Sequence, residues 1–209
     1  MNAVDGIVFD MDGTLIESHA VVPAAYRAAV LDRGGPALTD AEVIAGYSLG
    51  SPAALLTHLI GRPATDADLA CYHDHLAALA GQVAIYPDMA EVLAELAARV
   101  PVGLFTGASH RAAEILLDRV GLLGRFRVVL GGDEVPRPKP HPDGVELACR
   151  RLGLAPARAA YVGDSPLDLR AARRSGAAAV AAGWGHQYDP AEPADVTAAH
   201  PLDLLPLLN

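Results

Sequence analysis

Val4-Asp5-Gly6-Ile7-Val8-Phe9-Asp10-Met11-Asp12-Gly13-Thr14-Leu15 is the stretch on which the fold of this chain turns. Val4 to Phe9 is short, apolar and rich in branched and aromatic side chains, and an Asp-Gly turn signal closes it. That pattern predicts a buried strand. The strand ends on two carboxylates, Asp10 and Asp12, and Gly13 lets the chain turn sharply enough for both to face one small volume. An Asx turn closing the strand is the alternative for this segment taken alone. A helix-loop-helix calcium site is excluded, because it wants a third Asp or Asn where Thr14 stands and glycine where Leu15 stands.

Beyond this strand the pattern becomes helical, with segments over 19–33, 39–45, 52–60 and 66–80 separated by Gly-Pro or Ser-Pro breakers. From Pro87 helices and short apolar runs alternate: helices over 88–99, 109–120, 142–152, 166–175 and 202–208, strands over 102–105, 127–130, 160–162 and 178–181. The acidic, alanine-rich segment before Pro201 is expected to add a final sheet edge. Strands separated by helices of this length imply an α/β fold with a parallel sheet, right-handed crossovers and helices on both faces. The expected division is a core of residues 1–15 and 85–209 and an inserted four-helix unit of residues 16–84.

Composition narrows the partners. A chain of 209 residues, 52% hydrophobic, can bury a substantial core. A net charge of -9 offers no basic stripe for a nucleic acid or an anionic membrane surface, so small solutes are the expected partners. Cys71 and Cys149 are far apart and lack metal-ligand spacing, which fits a reducing cytoplasm rather than a disulfide framework. No apolar run approaches the ~20 residues a membrane span needs, and no secretory leader pattern is evident.

In open parallel sheets, ligands bind beyond the carboxyl ends of the strands. Following the predicted strands to those ends gives Asp10 and Asp12, then Thr106, then a loop holding Lys139, then Asp164 and Asp168. Asp164 and Asp168 taken alone could be solvated helix caps. Together with Asp10 they form a hard, oxygen-rich set of the kind that holds Mg²⁺ beside a phosphate. Lys139 is the only lysine in the chain and stands in Pro136-Arg137-Pro138-Lys139-Pro140-His141-Pro142. Prolines at every second position stiffen the backbone there, which a solvated lysine would not need. The spacing is wrong for a proline-rich ligand, which wants proline at every third position. Thr106 is followed by Gly107, Ala108 and a helix start, so its hydroxyl and the free amides could hold phosphoryl oxygens. An N-cap is the competing use, and Ser109 could supply that instead.

With these residues in view, the chain resembles the haloacid dehalogenase superfamily, in the branch whose helical cap follows the first motif. Asp10-Met11-Asp12-Gly13-Thr14 matches the first motif, Thr106 the second, Lys139 the third, and Gly163-Asp164-Ser165-Pro166-Leu167-Asp168 the fourth. The resemblance implies a Rossmann-like three-layer α/β/α core with strand order 3-2-1-4-5 or similar, and a phosphatase. It implies that Asp10 is the nucleophile that becomes an aspartyl-phosphate and Asp12 the general acid and base. Mg²⁺ would be held by Asp10, the Asp12 main-chain carbonyl, Asp164 and Asp168, with Thr106, Gly107 and Lys139 on the phosphoryl oxygens.

Within that family, Asp12 favours phosphate over halide, since halide release leaves no alkoxide to protonate. A cap without lysine argues against the phosphonate-cleaving branch. Val22 stands where the sugar-phosphate mutases carry histidine, with His19 out of register, so a mutase-like phosphotransferase is the lesser reading, beside a non-catalytic regulatory protein. The Lys139-Pro140-His141-Pro142 form and Gly183-Trp184-Gly185 look most like the phosphoglycolate phosphatase group. Substrate selection falls to the cap, where Gly46-Tyr47-Ser48-Leu49-Gly50-Ser51 offers Tyr47 and Ser48, or is an ordinary interhelical turn. A substrate carboxylate would call for Arg27, Arg33 or Arg62, none of which adjoins that loop.

Overall fold

A computed structural model describes residues 3–208. Strand β1 (Gly6–Phe9) is buried along its whole length, as a central strand of a parallel sheet must be. It starts two residues later than the apolar run. The Val4 and Asp5 amides bond instead to the Leu207 and Arg158 carbonyls, outside the ladder. Beyond β1 come a two-residue strand β2 (Ile16–Glu17) and four helices, α1 (Val21–Asp32), α2 (Asp40–Ala45), α3 (Pro52–Ile60) and α4 (Asp66–Leu79). The short strand β3 (Ala84–Ile85) then returns antiparallel to β2. This ribbon brackets the helical insertion, and strand signals two residues long leave no periodicity to read.

The remaining elements alternate: α5 (Met89–Arg99), β4 (Val102–Phe105), α6 (His110–Arg119), β5 (Val128–Leu130), α7 (Asp143–Leu152), β6 (Ala159–Gly163), α8 (Pro166–Ser175), β7 (Ala178–Ala182) and β8 (Val196–Ala198). Six strands form one parallel sheet in the order β5-β4-β1-β6-β7-β8, the expected 3-2-1-4-5 order with a sixth strand at its edge. Alternation along β1 divides the core. Ile7 and Phe9 face α5, α6 and the chain's last turns, whereas Val8 faces α7 and α8 with Phe105 and Tyr161. The expected terminal helix is a 3-10 helix (Pro201–Leu208), because Pro206 has no N–H to donate.

Hydroxyl caps set the starts of five of the eight α-helices among the described residues. Thr39 and Thr65 form capping boxes with Glu42 and Asp68, Ser51 caps α3, Ser109 caps α6 and Ser165 caps α8. In the insertion α1 and α4 pack together, with the Tyr26 and Tyr72 rings stacked at 4.0 Å between centroids. Among the described residues, no helix is long and apolar enough to cross a membrane.

Candidate active site

The carboxyl edge of the sheet gathers the charged residues as the strand ends require. Asp10 follows β1 directly, its amide donating to the Val162 carbonyl at 2.8 Å, so β6 fixes its position. Lys139 arrives from the proline-rich loop between β5 and α7. Its Nζ donates to Asp10 Oδ1 at 2.7 Å and to Asp168 Oδ1 at 2.6 Å. The Phe105 and Tyr161 rings flank the ammonium, with centroids 5.4 and 5.8 Å away. Burial alone would lower the Lys139 pKa, but Asp10 and Asp168 outweigh it and hold the value well above the ordinary one. The lysine is a fixed cation.

Asp168 is held from both sides. Its Oδ2 accepts from the Ser165 amide and hydroxyl at 3.0 and 2.6 Å while Oδ1 faces Lys139. Asp168 is thus the buried partner of the Ser165 cap rather than a solvated cap, and Asp164, for which capping alone would be favoured, does not cap α8. Asp164 accepts from the Gln187 amide at 2.9 Å through Oδ2, whereas its buried Oδ1 has no hydrogen-bond partner. Carboxylate oxygens of Asp10, Asp164 and Asp168 all lie within 4.8 Å of one another. Three converging carboxylates, one with an orphaned buried oxygen, suit a hard divalent cation. The approach is close: a Cβ on Gly13, whose φ is +79°, would lie 2.2 Å from Asp164 Oδ2. Only glycine fits there.

The Asp12 carboxylate stands apart from those three, as Oδ1 accepts from the Ser18 hydroxyl. Burial raises its pKa, against the pull of that hydrogen bond. Burial also raises Asp10 strongly; Lys139 opposes the rise and the other site carboxylates reinforce it. Asp164 is pushed up to about 7, again chiefly by burial. Thr106 Oγ1 accepts from the Ala108 amide at 3.1 Å, while Ser109 takes the α6 cap, so the Thr106 hydroxyl keeps its proton for another acceptor.

A cavity of about 360 Å³ lies between this edge and the helices. Asp10, Asp12, Thr106, Gly107, Lys139, Asp164 and Asp168 line it from below, and Tyr47 and Ser48 from above. Sequence reasoning missed several lining residues: Ser18, Tyr26, Tyr72 and the loop holding His186 and Gln187. Tyr161 is a further omission, its hydroxyl bridging the Phe105 carbonyl at 2.8 Å and the Lys139 ammonium at 3.2 Å. A tyrosine inside an otherwise aliphatic buried strand was the available signal, since its hydroxyl must find a partner. Tyr72-His73-Asp74-His75 reads in sequence as a solvated helix face, and the structure corrects this. Tyr72 is buried against the cavity, His73 Nε2 lies 2.8 Å from Ser109 Oγ, and His75 Nε2 lies 2.8 Å from Asp32 Oδ2. None of Arg27, Arg33 and Arg62 lines the cavity. Arg27 pairs with Asp40 at 2.8 Å, and Arg33 and Arg62 both close on Asp68 at 2.7 Å.

A parallel α/β sheet with a fixed lysine, a carboxylate cluster at its carboxyl edge and a helical cap defines a hydrolase of the phosphoryl-transfer class. The family model of the haloacid dehalogenase-like hydrolases matches residues 4–176, and the chain belongs to that family. It is 31% identical to the phosphoglycolate phosphatase of Escherichia coli O157:H7 over 236 residues, covering 99% of this chain and 93% of the relative. It is 30% identical over 212 residues to the N-acetylmuramic acid 6-phosphate phosphatase of Pseudomonas putida, covering 97% and 95%. In fold it matches the structure of CbbY from Rhodobacter sphaeroides in complex with phosphate, with a TM-score of 0.83, 24% identity and coverage of 98% and 99%.

Proposed function

We propose that this phosphatase hydrolyses a small phosphomonoester metabolite, phosphoglycolate-like or a sugar phosphate, through an aspartyl-phosphate on Asp10. The observation that carries the reading is the contact of Lys139 with Asp10 and Asp168 beside the orphaned Asp164 oxygen. Mg²⁺ held by Asp10, Asp164, Asp168 and the Asp12 main-chain carbonyl would reduce the repulsion between an anionic nucleophile and an anionic phosphate.

An Asp10 carboxylate oxygen attacks phosphorus and the bond to the ester oxygen breaks. Asp12, whose raised pKa favours the protonated form, gives its proton to that leaving oxygen. Asp12 then takes a proton from the water that attacks the aspartyl-phosphate, releasing inorganic phosphate and restoring Asp10. Lys139 and the Thr106 hydroxyl hold the equatorial oxygens, where transition-state charge resides. Residues 16–84 act as the cap over a core of 1–15 and 85–209, closing Tyr47 and Ser48 onto the substrate. The free thiols Cys71 and Cys149 fit a cytoplasmic setting.

Asp10→Asn should lower kcat for an aryl phosphate by at least ~10³-fold, as loss of a nucleophile requires. Chelation should abolish wild-type turnover and added Mg²⁺ restore it. Undiminished turnover by a homogeneous Asp10→Asn preparation would overturn the assignment.

A further inference from the structure

The cavity has a charge pattern that bears on the leaving group. Its floor already carries four carboxylates, Asp10, Asp12, Asp164 and Asp168, against one lysine. In the proposed reaction that lysine is committed to the transferred phosphoryl group. The roof, where the rest of the substrate must lie, is formed by Val22, Tyr26, Ile44, Tyr47, Leu55 and Tyr72. Its polar atoms are phenol hydroxyls and Ser48, and among the described residues no arginine or second lysine lines the cavity.

The cap's arginines are engaged elsewhere. Asp68 is fully buried and accepts from Arg33 Nε, Arg62 Nη1 and Arg62 Nη2 at 2.7, 2.7 and 2.9 Å. Swinging either arginine toward the substrate would break a short ion pair with Asp68. Arg27 is tied to Asp40 on the next helix. The remaining basic side chains at the cavity are His19 and His186, whose ring centroids lie 5.8 Å apart. His186 Nδ1 is 3.9 Å from the floor carboxylate Asp164 Oδ2, and His19 Nδ1 is 3.5 Å from Glu17, an exposed residue outside the cavity. A second anionic group on the substrate would thus leave water for an aromatic and aliphatic wall that holds no arginine or lysine to receive it. An uncharged ring has the opposite balance, laying an apolar face on the tyrosines and turning hydroxyls to their phenol groups. A volume of about 360 Å³ is at the small end for ligand pockets, enough for a phosphoryl group with one ring.

We infer that the substrate is the phosphate monoester of an uncharged, ring-bearing alcohol, and that the roof selects against a leaving group bearing a carboxylate or a second phosphate. This rests on the phosphomonoesterase reading and chooses among the substrates it leaves open.

The test is a comparison of kcat/KM at fixed free Mg²⁺ for a hexose 6-phosphate, phenyl phosphate, 2-phosphoglycolate and a sugar bisphosphate. At least one of the two uncharged-ring substrates should exceed 2-phosphoglycolate and the bisphosphate by tenfold or more. Ile44→Arg places a cation on the roof at a residue 48% exposed, where folding tolerates it. It should raise the 2-phosphoglycolate to phenyl phosphate ratio at least tenfold, whereas Ile44→Gln should not. Wild-type preference for 2-phosphoglycolate or the bisphosphate would overturn the inference while leaving the phosphomonoesterase reading intact. Folded protein that hydrolyses no member of the panel would overturn the phosphomonoesterase reading, and this inference with it.

Discussion

In the proposed reaction Asp164 meets two demands that oppose each other. A ligand for a divalent cation must be ionised, yet burial with one oxygen unpartnered pushes this carboxyl from 3.8 to about 7 in the metal-free protein. Between those values the folded chain binds a proton that the unfolded chain has released, so stability falls as pH rises through the window and levels off above it. For this group the fall is on the order of 4 kcal/mol. Scanning calorimetry in chelator should show the wild-type Tm declining from pH 5 to pH 8. Asp164→Asn should melt higher at pH 8 and show a shallower decline; Asp10 and Asp12, raised in the same direction, supply what slope remains. An identical slope in the variant would place the titration elsewhere. Residues of this kind were legible in the sequence because chemistry restricts them to few types at fixed strand ends. Tyr72 was not, and Tyr161 stood out only as a tyrosine in an aliphatic strand, since the partners of such hydroxyls come from distant elements.

At the scale of elements, local signals worked where a chain-local cause exists. Serine and threonine caps, glycine stops and proline breakers delimited α2 to α8 to within a residue or two. The β2–β3 ribbon is held by pairing between residues almost seventy positions apart, and nothing local announces it. The loop between α2 and α3 was recognised as a substrate-loop candidate, and its contact explains how it is placed. Gly50 has φ of +96°, and a Cβ there would lie 3.1 Å from Pro138, the neighbour of Lys139. The helical insertion and the Lys139 loop therefore meet at a glycine. Gly50→Ala should hold the cap off the core through backbone strain and this contact. Steady-state kinetics with a phosphate monoester should show KM raised about three- to tenfold with a smaller change in kcat, the pattern of lost substrate binding. Equal parameters in the variant would mean that this contact does not govern closure.

The whole molecule is tied together by one apolar cluster that runs from the sheet into the cap. Ile7, Phe9 and Leu104 belong to it, and so do Tyr26, Leu56, Tyr72 and Leu76. A helical insertion joined only by its ribbon would melt by itself, whereas a shared core makes cap and sheet one cooperative unit. Trp184 is the single tryptophan; it packs on this cluster, and its Nε1 donates to the Thr14 carbonyl at 3.0 Å beside the ribbon. It reports the junction, while far-UV circular dichroism is weighted toward the helices. Asp68 offers a perturbation confined to the cap, because its buried carboxylate is held by Arg33, Arg62 and Thr65. Asp68→Ala removes that anchor and leaves two guanidinium groups without their partner, so Tm should fall by about 5 °C or more. Both signals should move by the same amount and remain superimposable. If circular dichroism loses helix at a temperature where Trp184 emission is still native, the cap unfolds independently and the shared cluster does not bind the two parts into one folding unit.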